Sequence, residues 1–378
     1  MNILFYLTRY PGVGGVETVT SQITESLVLD KGYNIDIISH WQQEQKGAYV
    51  SGKIFPMPND KNWTAPENFA YACDVVKNGN YDVIIYQDSY APTETIVCHL
   101  SREYNVPLIV FEHNSPLYIY NKRSLSSWTT PKGFLRRLLH PYLLKKEISR
   151  KKMLLDQSSR YVLLSKAFIP EFCNLLGIKN DGKVTYINNP VTLEPISSES
   201  RKQKENILLY VGRLVEEKRV DRMLMLWSEI SKEIPSDWIF IIVGDGPKRA
   251  QLQQMATTMG LKNVQFEGFQ DPKPYYERSK LFIMMSKYEG WGLTLCEAMS
   301  QGVVSVVLST FSSVGDIINN GHNGFLVSNE QECKQRMTQL MNGNVQWDDM
   351  SKNAILNTNK FRIEKIIDQW ETLIKEIE

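Results

Sequence analysis

Short apolar runs alternate along the chain with longer segments of helical period. In the first half, runs rich in β-branched and aromatic residues predict strands at residues 3–7, 35–39, 82–86, 107–112, 160–165 and 184–187. The pattern starts again in the second half, at residues 207–212, 238–243, 263–267, 281–285, 303–308 and 324–327. Strands that alternate with helices form parallel sheets with helical crossovers, so we predict an α/β fold with two doubly wound, Rossmann-like domains.

The length of 378 residues supports two domains, because a single core stops growing at about 250 to 300 residues. The polar stretch 194–205 has no apolar run, so we predict a linker there that buries nothing. The boundaries follow as 1–195 for an N-terminal domain and 204–360 for a C-terminal domain. A final amphipathic helix at 361–378 is predicted to pack back on the first domain. We expect the two domains to face a central cleft.

Composition excludes several classes of protein. Hydrophobic residues at 42% and charged residues at 22% are typical of a globular chain, and no apolar run approaches the ~18 residues of a membrane span. The first residues lack the features of a secretion signal, so we predict a cytoplasmic protein. Five cysteines without a CxxC pair predict reduced thiols, and five histidines without HxH or HExxH spacing argue against a metal site.

A glycine-rich loop follows the first predicted strand. The sequence YPGVGGVETV contains Gly14 and Gly15, whose lack of a side chain lets backbone amides approach a phosphate at a helix N-terminus. Glu17 stands where the GxGxxG fingerprint needs its third glycine, so a dinucleotide fold is not indicated. From this loop alone, a turn that merely starts a helix is an equally good interpretation.

The second half carries a more specific constellation. Arg213 follows a buried strand and Lys218 opens the next helix, where two cations could meet an anion. In EGWGLTLCEAMSQG, Glu289 lies in a glycine-containing loop and Glu297 about one turn into a helix, so loop amides and helix N-terminus form an anion cradle between two acceptors. Paired acids of a glycoside hydrolase are the rival interpretation, which the cation pair makes weaker.

Together these segments resemble the GT-B-fold retaining glycosyltransferases of family four. The resemblance is carried by GGVE at 14–17, VGRLVEEK at 211–218, VGDGP at 243–247, VQFEGF at 264–269, HNGFLV at 322–327 and the Glu-x7-Glu segment. It implies transfer of a sugar from a nucleotide sugar with retention of anomeric configuration and without a metal or other cofactor. One departure is the sequence STFSSVGDII at 309–318, which has Asp316 but lacks the family's GGxPE and so leaves the donor sugar open.

The resemblance also implies roles for individual residues. Arg213 and Lys218 would hold the donor diphosphate, Glu289 would bind the donor sugar, and Glu297 would bind the ribose. His113 would face the reacting anomeric centre and completes the predicted catalytic set of His113, Arg213, Lys218 and Glu289. The remaining predicted donor-binding residues act through backbone or loop shape and are Gly14, Gly15, Gly244, Gly268, Phe269, Gly290, Trp291, Gly292, Leu293 and Thr294.

Charge is distributed unevenly although the net charge is only +1. Residues 122–166 contain twelve Lys and Arg against two acids, a net of +10 that leaves −9 for the rest of the chain. Leucines interleave with these cations, so we predict contact with an anionic membrane surface. The alternative is a docked core helix with a solvated basic face. No nucleic-acid recognition motif accompanies the charge, so nucleic acid is not a predicted partner.

The sequence therefore predicts a retaining glycosyltransferase that uses a nucleotide sugar, with a UDP-sugar favoured. The predicted acceptor is a glycan or a lipid-linked molecule in bacterial surface polysaccharide synthesis, such as lipopolysaccharide or capsule, or in glycolipid synthesis. The enzyme would be cytoplasmic and peripheral on the inner face of the membrane. The alternatives are a nucleotide-sugar epimerase or hydrolase on the same fold and a catalytically silent nucleotide-binding module.

Overall fold

The structure is a computed structural model that describes residues 1–12, 14–41, 52–87, 92–118, 120–121, 134–135, 138–343 and 345–377. The chain divides into two compact units. Unit 1 comprises Met1–Pro190 together with Ile363–Glu378, and unit 2 comprises Val191–Arg362.

The described strands of unit 1 form a seven-stranded parallel sheet in the order β3-β2-β1-β4-β5-β6-β7. They are β1 (Asn2–Arg9), β2 (Asn34–Trp41), β3 (Ile54–Pro56), β4 (Val83–Tyr86), β5 (Leu108–Glu112), β6 (Arg160–Leu163) and β7 (Val184–Tyr186). The helices between them are α1 (Gly15–Leu29), α2 (Pro66–Gly79), α3 (Glu94–Glu103), α4 (His140–Gln157) and α5 (Phe168–Leu176). The sheet order reverses between β1 and β4, as in a doubly wound fold.

Unit 2 contains a second parallel sheet, whose six described strands run in the order β10-β9-β8-β11-β12-β13. They are β8 (Glu205–Val211), β9 (Ile239–Val243), β10 (Val264–Gly268), β11 (Ser279–Met284), β12 (Val304–Leu308) and β13 (Gly324–Val327). The helices are α6 (Ser198–Lys202), α7 (Val220–Ile230), α8 (Arg249–Thr258), α9 (Lys273–Arg278), α10 (Leu293–Ser300), α11 (Val314–Ile317), α12 (Glu330–Met341) and α13 (Trp347–Thr358). Short 3-10 turns cover Glu216–Lys218 and Asn359–Phe361.

The final helix, α14 (Ile363–Lys375), belongs to unit 1. Its apolar face is buried, and Trp370 contacts the Phe111 ring edge-on with ring centroids 4.9 Å apart. On the polar side, the Lys31 ammonium lies 2.7 Å from carboxylate oxygens of both Asp368 and Glu371. Apolar burial and ion pairing thus attach the final helix to unit 1.

The predicted fold class is confirmed, and each predicted strand is present within a residue or two of its expected ends. Strands such as Val304–Leu308 are buried along their whole length, which explains why they are continuous apolar runs without alternation. The three-residue strand β3 was not predicted, because it is short and ends in proline. None of the helices in the described part of the chain is long and apolar enough to cross a membrane.

The expectation that residues 194–205 bury nothing is wrong. Ser197 caps helix α6 by accepting a hydrogen bond from the Ser200 amide at 3.1 Å. The buried Arg201 side chain pairs with Asp348, and the buried Lys204 ammonium donates to three backbone carbonyls. Polar residues are buried here because each has a partner that compensates the loss of water.

Candidate functional site

Most of the predicted site residues meet at one edge of the unit 2 sheet. Arg213 and Lys218 follow β8, and Glu289 follows β11. The strand order reverses between β8 and β11, so their carboxyl ends flank a topological switch point. In open α/β sheets this is the position where ligands bind, so the sequence motifs and the topology indicate the same place.

An ion pair joins the two segments at the switch point. The Lys218 ammonium contacts the Glu289 carboxylate, and both side chains are largely buried. Beside this pair, the Lys287 amide donates to the Glu217 carbonyl at 2.7 Å. An ammonium group has three donors, so Lys218 can keep its bond to Glu289 and still donate to an anion.

Arg213 contributes a second, more accessible cation. Its side chain is exposed, and among the described residues its guanidinium makes no ion pair. Its backbone is held by the buried Tyr210, whose hydroxyl donates to the Arg213 carbonyl at 3.1 Å. The guanidinium is therefore anchored at its base and free at its tip to make bidentate contacts with a diphosphate.

The loop at 290–294 is shaped to present backbone amides. Gly292 has φ of +96°, a left-handed conformation that favours glycine, and α10 starts at the next residue. The first amides of a helix have no partner within it, so those of Leu293 and Thr294, directly after the loop that follows β11, can donate to a ligand. Trp291 is 2% exposed, and its ring contacts Phe361 edge-on, so its side chain holds the loop in place. A ligand at this loop could therefore meet Trp291 only through its backbone.

Glu297 lies on α10, one turn after its start. The hydroxyl of the fully buried Tyr276 donates to Glu297 Oε2 at 2.8 Å. Burial raises the pKa of Glu297, whereas the hydrogen bond from Tyr276 lowers it and so favours the ionised form. The predicted ribose acceptor is thus a carboxylate with one oxygen already held.

Two more predicted glycines bring backbone close to the same edge. Gly244 has φ of +137°, and its amide donates to the Gly268 carbonyl at 2.7 Å. A Cβ at Gly244 would overlap the Gly212 carbonyl, so the two backbone segments approach closely. Gly268 has φ of +74° and lies against the Arg249 guanidinium. The following residue, Phe269, is 75% exposed. An exposed aromatic ring can stack on a nucleotide base.

The other predicted site residues belong to unit 1, at the carboxyl ends of β1 and β5. Gly15 begins α1, and a Cβ on Gly14 would overlap the Glu17 carboxylate, which itself pairs with Arg9 at 2.5 Å. His113 directly follows β5 and is 8% exposed, and its Nε2 has no hydrogen-bond partner among the described residues. Burial lowers the pKa of His113 to about 3, so its imidazole is neutral at neutral pH.

Two features of these sites were missed from the sequence. Tyr276 gives no motif, because a tyrosine in a short helix is most often part of the core. The second is a buried ionic cluster behind His113. Glu112 receives bonds from the Lys151 ammonium and from the Tyr161 hydroxyl, the latter at 2.6 Å. In a basic segment Lys151 looks like a surface residue, and only its spacing on α4 relative to buried leucines could have indicated otherwise.

The loop at 309–318, where the chain departs from the family pattern, contains the four-residue helix α11. The Thr310 hydroxyl donates to the Ser286 carbonyl at 2.5 Å, and the Lys360 ammonium donates to the Asp316 carbonyl at 2.7 Å. The Ser313 hydroxyl donates to the Gly290 carbonyl at 3.1 Å. This loop therefore supports the amide-presenting loop without a double glycine.

Comparison with known families identifies the chain. The family described as glycosyl transferases group 1 matches residues 194–357, and the glycosyltransferase family 4 matches residues 13–195. The chain therefore belongs to the GT-B-fold glycosyltransferases of group 1, as its motifs indicated.

The chain is similar to individual bacterial glycosyltransferases along most of its length. A GalNAc-alpha-(1->4)-GalNAc-alpha-(1->3)-diNAcBac-PP-undecaprenol alpha-1,4-N-acetyl-D-galactosaminyltransferase of Campylobacter jejuni is 26% identical over 80% of this chain and 77% of its own. N-acetyl-alpha-D-glucosaminyl L-malate synthase of Bacillus anthracis is 26% identical over 100% of this chain and 98% of its own. The chain is a glycosyltransferase with homologues in bacterial glycan and cell-surface synthesis.

Solved structures share the fold at low identity. Anabaena HepE in complex with UDP and glucose has a TM-score of 0.75 at 18% identity, covering 100% of both chains. Sucrose-phosphate synthase from Thermosynechococcus elongatus has a TM-score of 0.78 at 16% identity, covering 100% of this chain and 98% of its own. These likenesses confirm the GT-B fold.

Proposed function

We propose that this chain is a retaining, metal-independent glycosyltransferase that moves a sugar from a UDP-sugar to a glycan or lipid-linked acceptor of a bacterial surface polysaccharide or glycolipid. The observation that carries the proposal is the switch-point site of unit 2. There Lys218, the exposed Arg213 and the amides at the start of α10 lie at the same edge of the sheet as the carboxylates of Glu289 and Glu297. That combination suits an anion with hydroxyl-bearing groups on both sides.

The diphosphate of the donor is the anion that this site fits. As the bond between the anomeric carbon and the phosphate oxygen breaks, its electron pair goes to the diphosphate, which gains negative charge. Arg213, Lys218 and the amides of Leu293 and Thr294 would stabilise that charge in place of a metal ion. Within the described residues, no group of three or more His, Cys, Asp or Glu is placed to hold a metal ion.

The two carboxylates would bind different parts of the donor. Glu289, at the loop and next to Lys218, would accept hydrogen bonds from hydroxyls of the transferred sugar. Glu297, further along α10, would accept them from the ribose. His113 of unit 1 would act in the catalytic set as a neutral imidazole, because burial keeps it uncharged.

Calorimetry tests this division of roles. Glu297→Ala should weaken binding of both UDP and the UDP-sugar, because ribose is common to both, whereas Glu289→Ala should chiefly weaken binding of the UDP-sugar. A screen of UDP-, GDP- and ADP-sugars for protection against thermal unfolding identifies the donor first, since a ligand that binds the native state stabilises it. Equal losses for both ligands in both variants would contradict the division, and donor consumption without acceptor would indicate a hydrolase or epimerase.

We also propose that unit 1 attaches to an anionic membrane, where a lipid-linked acceptor resides. The name of the Campylobacter jejuni relative, which includes an undecaprenol-linked glycan, supports a lipid-linked acceptor. Five large apolar side chains are exposed within nine positions, namely Phe134, Leu135, Leu138, Leu139 and Tyr142, and Lys145 and Lys146 follow them on the exposed face of α4. Apolar side chains beside cations are typical of segments that bind a membrane interface.

Liposome co-sedimentation tests the membrane proposal. Lys145→Gln and Lys146→Gln together should reduce binding to vesicles that contain phosphatidylglycerol, and raised salt should reduce binding by the parent, because it screens the attraction. Nucleotide affinity should not change. Arg136 and Arg137, which the sequence also predicts to take part, lie outside the described residues. If the parent does not sediment with such vesicles even at low salt, the basic face is only solvated.

A further inference from the structure

A buried tyrosine contacts the carboxylate that we propose as the ribose acceptor. Tyr276 lies on α9 with its ring fully buried, and its hydroxyl donates to Glu297 Oε2 at 2.8 Å. The two residues belong to different helices, so the contact fixes the Glu297 carboxylate from outside α10. A phenol has one proton to donate, and here it is used on this carboxylate.

The helix that carries Tyr276 is itself anchored. Lys204 is 6% exposed, and its ammonium donates to the carbonyl oxygens of Tyr276, Glu277 and Ser279 at 2.7, 3.0 and 2.9 Å. These carbonyls lie at the end of α9, where helical partners are lacking and a cation is favourable. Tyr276 is therefore held at its backbone by Lys204 and directs its hydroxyl at Glu297.

We propose that Tyr276 is a positioning residue, which holds one oxygen of Glu297 so that the other faces the two ribose hydroxyls of the donor nucleotide. This inference rests on the proposed function, in which Glu297 binds ribose. A carboxylate has two oxygens that each accept more than one hydrogen bond, so occupation of Oε2 leaves Oε1 for a vicinal diol. The site would consequently select ribonucleotides over 2′-deoxyribonucleotides.

The charge state of Glu297 supplies an independent readout. The titratable groups that act on this region are Tyr276, Asp271 before α9, Cys296 on α10, and Lys360, which acts on Cys296. Burial and Asp271 raise the pKa of Glu297, and the Tyr276 hydroxyl lowers it. Loss of the hydroxyl should raise that pKa further, and a protonated carboxyl loses acceptor capacity, so nucleotide binding should weaken at a higher pH than in the parent.

The experiment is calorimetry of the full chain with UDP and 2′-deoxy-UDP, with GDP and ADP pairs used if the parent prefers another base. Tyr276→Phe should weaken UDP about tenfold, as expected for loss of a hydrogen bond to a charged group, and leave 2′-deoxy-UDP nearly unchanged. Tyr275→Phe is the matched control, because the hydroxyl of this neighbouring tyrosine donates to Glu267, whereas in the described part of the chain the tyrosine that bonds to Glu297 is Tyr276. It should bind both nucleotides like the parent.

Glu297→Ala distinguishes a failure of the proposed ribose-binding role of Glu297 from a failure of the inference about Tyr276. If it keeps the preference of the parent for UDP, Glu297 does not bind ribose and the proposed role fails, whatever Tyr276 does. If Glu297→Ala loses the preference and Tyr276→Phe keeps it, Tyr276 only fills the core and the inference is wrong. In the Glu297→Ala background, Tyr276→Phe should have no additional effect on affinity.

Lys204→Gln provides a second variant in case Tyr276→Phe is too unstable. It shortens the side chain and cannot make all three carbonyl contacts, so it loosens the end of α9 without touching Tyr276 or Glu297 directly. The ratio of UDP to 2′-deoxy-UDP affinity should fall in this variant too. An unchanged ratio in a folded Lys204→Gln protein would overturn the inference.

Discussion

Replacement of Lys151 by methionine should strongly destabilise unit 1. The Lys151 and Glu112 side chains are both 0% exposed and form an ion pair, and the Glu147 carboxylate lies 3.7 Å from the same ammonium. Removing one partner of a buried pair leaves an uncompensated charge and typically costs about 3–5 kcal/mol. Because the Tyr161 hydroxyl still donates to Glu112 at 2.6 Å, we expect a loss near the lower end, about 3 kcal/mol.

Hydrogen exchange resolved by peptide suits a protein with two units, because a single unfolding transition does not separate them. Peptides from β5 and α4 should lose protection in Lys151→Met, while peptides from β8 and β9 should not. The neighbouring Lys152, which is exposed on the same helix, gives the matched control Lys152→Met, with no expected change. Glu112→Gln combined with Lys151→Met should restore much of the loss, and a double variant no more stable than Lys151→Met would refute the reasoning.

Three further outcomes follow from individual sites. Arg213→Ala should fold normally and lower kcat about 100- to 1000-fold at saturating donor, measured by nucleotide release, because the guanidinium would act on charge formed in the transition state. Gly292→Ala should lower the stability of unit 2 by about 1–2 kcal/mol in urea unfolding, since φ is +96° there. The free energy of unfolding of His40→Gln should depend less on acid pH than that of the parent, because burial lowers the pKa of His40 to about 4. Between pH 6.5 and 4 the native parent therefore binds fewer protons than its unfolded state. Its stability falls with pH there by at most about 1.4 kcal/mol per pH unit.

Much of the fold followed from local patterns because the strands are buried on both faces. A segment such as Val83–Tyr86 can only be a continuous apolar run, and its length separates it from a helix. β3 escaped prediction because Ile54–Pro56 offers three residues and no pattern. Residues 194–205 were misinterpreted because burial of Arg201 and Lys204 depends on distant partners, which no local pattern reveals.

In the candidate site too, local features were predictable from the sequence and contacts between distant residues were not. The loop and helix around Glu289 and Glu297 were predictable, because glycine conformation and helix start are local properties. Tyr276 was not, because its role depends on a contact across 21 positions with Glu297. A side chain that acts through another residue leaves a signal only in three dimensions.

Part of the positive charge of residues 122–166 is buried. On α4, Tyr142, Lys145 and Lys146 are exposed, whereas Lys151 is fully buried and pairs with Glu112. Arg150 is also largely buried, with carboxylates of Glu94 and Glu147 within 3.6 Å. These two cations stabilise the interior and cannot meet a lipid headgroup, so the net charge of +10 overstates the membrane-facing charge. Lys151, on the buried face of α4, pairs with Glu112, the residue before His113. A membrane bound to the exposed face of α4 would therefore be attached to the helix that holds this end of β5.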